Sequence, residues 1–181
     1  KKLVAQIQAH GKNAIGLSGA DANIIPAKIR SATPINYGFV GDLDANTIGI
    51  KSIDVLLKNN MTPVIASITH DGKGQLLNTN ADTIAATFAI AMSSLYYTKL
   101  YLCFEKKGVL SNPDNDASAL PTLNDITYQT LKASGIITKG MIPKVDNAFN
   151  ALKNGVGEVY IMHALDLNSQ TNAAGTRLVI G

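Results

Sequence analysis

Three polar side chains at alternate positions, Asn78, Asn80 and Asp82, stand directly before a long apolar run in "QLLNTNADTIAATFAIA" (75–91). An asparagine amide both donates and accepts, so a pair of them can orient a carboxylate or another amide. The apolar run has helical periodicity. A helix N-terminus presents unpaired N–H groups and a partial positive charge, which suit an anion. Asn and Asp are also favoured N-caps, so one of the three needs no ligand to explain it; three polar residues in five exceed that need. A second set lies in "GIITKGMIPKV" (135–145), with two glycines, a threonine and two lysines between helix-like runs. Lys144 falls in the first turn of the helix that follows, where a cation opposes the dipole. That placement is expected of a lysine kept for an anion such as a phosphate; the bland alternative is a solvated lysine on an exposed face. A third set is "CFEKKGVL" (103–110), an apolar run ending in Glu105, Lys106, Lys107 and Gly108. Charges and a glycine at a strand end fit a nucleotide edge, or a plain charged turn.

Elements must position these groups. "KKLVAQIQAHG" reads as the interior of a helix closed by Gly11, and "NAIGLSG" as a strand. "INYGFVGDLDANT" spaces turn residues through short β-prone pieces, which predicts a hairpin. "TIGIKSIDVLLKNN" predicts a helix with Ile50, Ile53, Leu56 and Leu57 on its apolar face, and "TPVIASIT" a strand closed by the turn "HDGKG". The helix after Asp82 has Ile84, Phe88, Ala91 and Leu95 on one face. "KLYLCF" predicts another buried strand, with Cys103 in the core. "SNPDNDASALPTL" is a polar, proline-marked loop, and "DITYQTLKASG" a helix stopped by Gly135. "MIPKVDNAFNALKNG" predicts a helix with Pro143 in its first turn and Val145, Phe149 and Leu152 buried. "EVYIMHA" and "GTRLVI" close the chain as strands. Buried strands alternating with helices predict an α/β fold with a largely parallel sheet. In such sheets ligands bind at the carboxyl ends of strands, beside helix N-termini.

The bulk numbers narrow the function. A chain of 181 residues fits one domain, and 46% hydrophobic with 16% charged residues is an ordinary globular composition. A net charge of +3, with scattered Lys and Arg, gives no footprint for nucleic acid. No run reaches the length of a membrane span and no leader is visible, so a cytoplasmic address is expected. The single cysteine permits no intrachain disulfide. His10, His70 and His163 lack metal-ligand spacing, so no protein metal cage is expected. There is no Walker A or Gly-x-Gly-x-x-Gly motif. Ser18 in "GLSGAD" lacks the nucleophile-elbow spacing, and Asp21 beside it reads as a loop carboxylate.

In their order along the chain, "GLSGADANIIPAKIR", "YGFVGD", "PVIASITHDGKGQLLNTNADTIA", "KKGVL", "GIITKGMIPKV" and "GTRLVI" resemble the acetylglutamate kinases of the amino acid kinase family. The resemblance spans nearly the whole chain. It implies a three-layer α/β/α sandwich with a mainly parallel central sheet, and residues 1–181 as a kinase-like domain, mostly its C-terminal nucleotide-binding part with the N-terminal substrate lobe incomplete. The family reaction is ATP-dependent phosphorylation of the γ-carboxylate of N-acetyl-L-glutamate in arginine synthesis, with Mg²⁺, by a homodimer. By motif, Asn78 and Asn80 are implied to bind substrate. Lys144 is implied to be a catalytic lysine, and Asp82 the carboxylate that holds two such lysines. Glu105, Lys106, Lys107, Gly108, Val109 and Leu110, with Ile136, Ile137 and Thr138, are implied to form the nucleotide edge. Two departures stand out. Glu105 with its neighbouring lysines replaces an aspartate-containing pattern, and Lys139 replaces a common Gly or Asp. The family's first third, with another lysine, a Gly-Gly loop and a substrate arginine, has no match here, so the 181 residues alone are expected to be inactive. The alternatives are a kinase for N-succinylglutamate or another carboxylate, and a nucleotide-binding regulatory module without turnover.

Overall fold

The computed structural model describes residues 1–137, 140–168 (without the Asn168 side chain) and 175–181. The chain forms two compact units, Lys1–Ala91 and Met92–Gly181.

In the first unit, α1 (Lys2–Ala9) runs into Gly11, whose φ of +72° favours glycine at the turn. Two short parallel strands follow, β1 (Ala14–Leu17) and later β4 (Thr62–Ile65), joined through β2 (Lys28–Ile29), β3 (Gly41–Asp42) and α2 (Ile50–Lys58). β2 and β3 pair antiparallel. β5 (Ile68–His70) and β6 (Leu76–Asn78) form a second antiparallel pair, closed by a turn in which Gly72 and Gly74 take positive φ. Then α3 (Ala81–Met92) begins. Ile24, Ile25, Ile53 and Leu77 are fully buried aliphatics of this unit.

The second unit is a four-stranded sheet, β7 (Lys99–Phe104), β9 (Glu158–His163), β10 (Thr176–Val179) and β8 (Thr122–Asn124), in that spatial order. β7–β9 and β10–β8 are parallel, β9–β10 antiparallel. α4 (Asp125–Ala133) packs on β8, and α5 (Ile142–Lys153) on β7, β9 and β10. Asn124 caps α4 by accepting from the Thr127 N–H at 2.7 Å, and Gly135 ends it with φ +75°. Tyr128 stacks on Phe149 at 5.4 Å between ring centres. Burial, and a hydrogen bond to Asp146, push the Tyr128 phenol up.

The sequence placed the helices and most strands, and the α/β class holds, with the two longest ladders, β7–β9 and β1–β4, parallel as expected. Four details differ. The hairpin expected within residues 35–47 is wider: its strands are β2 and β3, and residues 30–40 are the connection. "TPVIASIT" is two strands with different partners, because the chain leaves β4 for the β5–β6 hairpin. Cys103 is exposed rather than buried. β7 is an edge strand among the described residues, and its faces alternate, with Leu100 and Leu102 covered and Tyr101 and Cys103 open. On the helices the apolar stripes are narrower than expected. Only Ile53 is buried on α2, and Leu95 lies past the end of α3 at 50% exposure; on α5 Val145 and Phe149 are buried as expected, with Ala148 and Ala151 beside them, while Leu152 is half-buried.

Candidate functional site

Two surfaces carry the residues singled out by sequence, one in each unit. In Lys1–Ala91, Asn78 ends β6. Its N–H donates to the Phe39 carbonyl at 2.8 Å, Val40 is its parallel partner, and Ile68 pairs with it from β5. The next residue, Thr79, is buried, its hydroxyl 2.9 Å from that of Thr69 and 3.3 Å from the Gly41 carbonyl, to which it donates. A Cβ on Gly41 would stand 2.7 Å from the Thr79 hydroxyl and 2.8 Å from that of Thr69, so only glycine fits. Alternate strand residues face opposite ways. Locking Thr79 inward therefore turns Asn78 and Asn80 outward, and both are exposed.

Asn80 is the cap of α3. Its Oδ1 accepts from the Thr83 N–H at 3.1 Å, and its carbonyl accepts from Ile84 N at 3.0 Å. Asp82 sits half-buried in the first turn, where a carboxylate complements the helix dipole. Elsewhere in this unit Asp21 accepts from the Ser18 N–H at 2.6 Å and from its hydroxyl at 2.8 Å. Those bonds hold its carboxyl below the usual range and close the turn after β1, a structural task.

In Met92–Gly181 a cleft of about 160 Å³ opens at the carboxyl end of β7. Glu105, Lys106, Gly108, Val109, Leu110, Ile136 and Ile137 line it, together with Phe104, Pro113 and Met141. The loop that forms its rim is stapled from below by Thr176. The Thr176 hydroxyl accepts from the Val109 N–H at 2.8 Å and donates to the Leu120 carbonyl at 2.6 Å. A Cβ on Gly108 would come within 2.5 Å of that hydroxyl, which explains the glycine. Lys106 pairs with Asp116 at 2.9 Å, which raises the lysine's pKa and lowers the aspartate's. Lys144 is only 7% exposed, against the solvated alternative, and its ammonium lies 5.6 Å from the ring centre of Phe104, a wall of the cleft. Among the described residues no group of three or more His, Cys, Asp or Glu could hold a metal ion, and no helix is long and apolar enough to cross a membrane.

Residues 1–163 match the sequence profile of the amino acid kinase family. The chain belongs to that family. An acetylglutamate kinase of Cytophaga hutchinsonii is 45% identical over 99% of the chain, and one of Phocaeicola vulgatus 46% over 93%. The chain spans 69% and 65% of those two proteins, about two thirds of their length. Among solved structures, smu.665 of Streptococcus mutans superposes with a TM-score of 0.79 at 28% identity, covering 97% of this chain and 64% of that one. Carbamate kinase of Giardia lamblia bound to AMP-PNP superposes with a TM-score of 0.64 at 12% identity over 98% of this chain and 66% of that one, a likeness of fold.

Of the nine residues that family resemblance put on a nucleotide edge, seven line the cleft at the end of β7. Lys107 is exposed outside the lining, and Thr138, with Lys139, lies outside the described residues. The sequence reading missed Phe104, Pro113 and Met141, apolar residues without a chemical signature, and Thr176, which is 67 residues from the N–H it holds. The buried pair Thr69 and Thr79 was missed too. The alternation "N-T-N" was the available signal, since a threonine between two outward asparagines must face inward.

Proposed function

We propose that this chain is the greater part of an ATP-dependent kinase acting on the γ-carboxylate of N-acetyl-L-glutamate. The observation that carries the reading is 45–46% identity to proteins named acetylglutamate kinase over nearly the whole chain. The surfaces supply matching chemistry. The outward amides of Asn78 and Asn80 orient the amino-acid derivative, Asn78 with its whole side chain and Asn80 with what its capping bond leaves. The cleft is apolar on most sides and small beside a whole-ligand pocket of roughly 300 Å³ or more, so it takes the nucleotide's base and leaves the phosphates outside. A family fold-neighbour holding AMP-PNP supports ATP as the donor.

Phosphoryl transfer asks a protein for positioning and charge neutralisation more than for covalent work. The acceptor carboxylate is already ionised at neutral pH, so no general base is needed. Lys144, buried beside the cleft wall, supplies a poorly hydrated positive charge for the phosphoryl oxygens as negative charge builds on them. Asp82 is assigned to fix lysine geometry, as the family resemblance implies. Mg²⁺ would be held by the ATP phosphates, because the described residues offer it no cage. The reading further implies a cytoplasmic homodimer.

The test is ADP release by the full-length protein that carries this chain, with N-acetylglutamate and with unacylated glutamate. Turnover with the former and a rate at least tenfold lower with the latter is expected. ATP binding without turnover of either would replace this reading with a regulatory nucleotide-binding module.

A further inference from the structure

We infer that Arg30 is a specificity-determining residue that takes a carboxylate at the far end of the substrate's N-acyl group, so that the site accepts N-succinylglutamate beside N-acetylglutamate. The inference rests on the kinase reading above. Its basis is a row of side chains set by backbone pairing. Lys28 pairs with Asp42 and Ile29 with Gly41 in antiparallel register. The register continues to Arg30 and Val40, where Arg30 N donates to the Val40 carbonyl at 2.8 Å. Val40 is the parallel partner of Asn78, and Asn78 the antiparallel partner of Ile68.

Residues paired directly across strands share a face. Arg30, Val40, Asn78 and Ile68 therefore stand side by side in one row, with Lys28 and Asp42 in the next row of the same face. Gly41, pressed against Thr69 and Thr79, belongs to the opposite, buried face. The row is consequently the open one: Arg30 and Asn78 are exposed and Val40 is half-covered. Neighbouring strands lie about 4.8 Å apart, which puts the Arg30 backbone about 10 Å from that of Asn78, within the combined reach of the two side chains and a small ligand.

Read outward from Asn78, the row offers an amide, then an apolar side chain, then a cation. A succinyl amide presents the matching series of amide, two methylenes and carboxylate. An acetyl group ends in a methyl and gives the guanidinium nothing to bind. Arg30 is also held ready. Its Nε and Nη2 both bond one oxygen of Asp42, at 2.9 and 2.6 Å, which uses two of its five N–H donors. The Tyr37 ring lies 5.7 Å from its Cζ and steadies the guanidinium plane. With Lys28 present, the face carries two cations against the single carboxylate of Asp42, so a net positive charge remains for a ligand. A guanidinium matches a carboxylate bidentately, which a lysine cannot do.

The test compares kcat/KM for N-succinyl- and N-acetylglutamate in the full-length protein, by coupled ADP release, for the native enzyme, Arg30→Gln and Arg30→Lys. The native enzyme is expected to turn over both substrates. Arg30→Gln should lower the succinyl-to-acetyl ratio by about ten- to a hundredfold, the worth of one charge-assisted pair, and Arg30→Lys should recover part of it. A native enzyme that uses the acetyl but not the succinyl substrate overturns the inference and leaves the kinase reading intact. So does an Arg30→Gln variant that loses both activities in equal measure, because Arg30 would then serve a carboxylate common to both substrates, or the fold alone. No turnover of either substrate by the native enzyme overturns both readings.

Discussion

The asparagine face of Lys1–Ala91 is set by backbone ladders between strands, whereas the cleft of Met92–Gly181 is walled mostly by apolar side chains. On the face, Asn78 is fixed by pairing with Val40 and Ile68, and the layer beneath is the tight set Gly41, Thr69 and Thr79. Around the cleft, apolar walls define the shape, with a loop held by the Thr176 hydroxyl and by backbone bonds from Leu120 to Val109 and from Ser111 to Ser118. A ladder fixes direction, which suits a small polar ligand that must be held in one orientation. An apolar cleft fixes position by burial, which suits a flat base recognised largely by its faces. The largest expected effect tests the cleft side. Lys144→Ala should lower kcat by about 10²-fold or more while changing substrate KM much less, since the charge it meets is greatest in the transition state. Steady-state kinetics on the full-length protein read this, and a variant with native kcat would remove Lys144 from the reaction.

A smaller effect separates shape from charge. Gly108→Ala adds one methyl that would lie 2.5 Å from the Thr176 hydroxyl. The loop must shift, at a cost of about 1–3 kcal/mol for overpacking. A lower melting temperature and weaker binding of a non-hydrolysable ATP analogue are expected together. Unchanged nucleotide affinity with a lower melting temperature would detach this loop from nucleotide binding.

The smallest effect is a pH dependence away from both surfaces. Lys99, 2.7 Å away, and then the hydroxyls of Tyr160 and Tyr97 hold the Glu158 carboxyl at about 2, against an ordinary value of 4.5. A carboxylate with a depressed folded-state pKa stabilises the fold above its unfolded value and loses that contribution as pH falls through the folded one. Melting temperature should therefore decline between pH about 4.5 and about 2, and Glu158→Gln should flatten that decline. An equally steep acid slope in the variant would place the acid-labile group elsewhere.

How far the sequence carried depended on where the partners lie along the chain. The cleft was legible because most of its lining comes from two short stretches, 105–110 and 136–137, each at the end of a recognisable element. The helix starting after Asn80 was legible from its cap, and Lys144 from its position against the dipole. The ladder behind Asn78 was not, since its partners at 30, 40 and 68 come from separate strands whose register no local pattern fixes. Cys103 was misplaced for a related reason. A six-residue apolar strand reads as buried on both faces, and only the folded structure shows that one face of β7, carrying Tyr101 and Cys103, is open.

With the acylglutamate proposed for the asparagine face and the nucleotide for the cleft, calorimetry on Asn78→Ala in the full-length protein tests that division most directly. Binding of N-acetylglutamate should weaken by about 1–3 kcal/mol, the cost of leaving a polar partner unpaired, while affinity for a non-hydrolysable ATP analogue stays within about twofold of the native value. Equal losses for both ligands, or a loss for the nucleotide alone, would contradict the division.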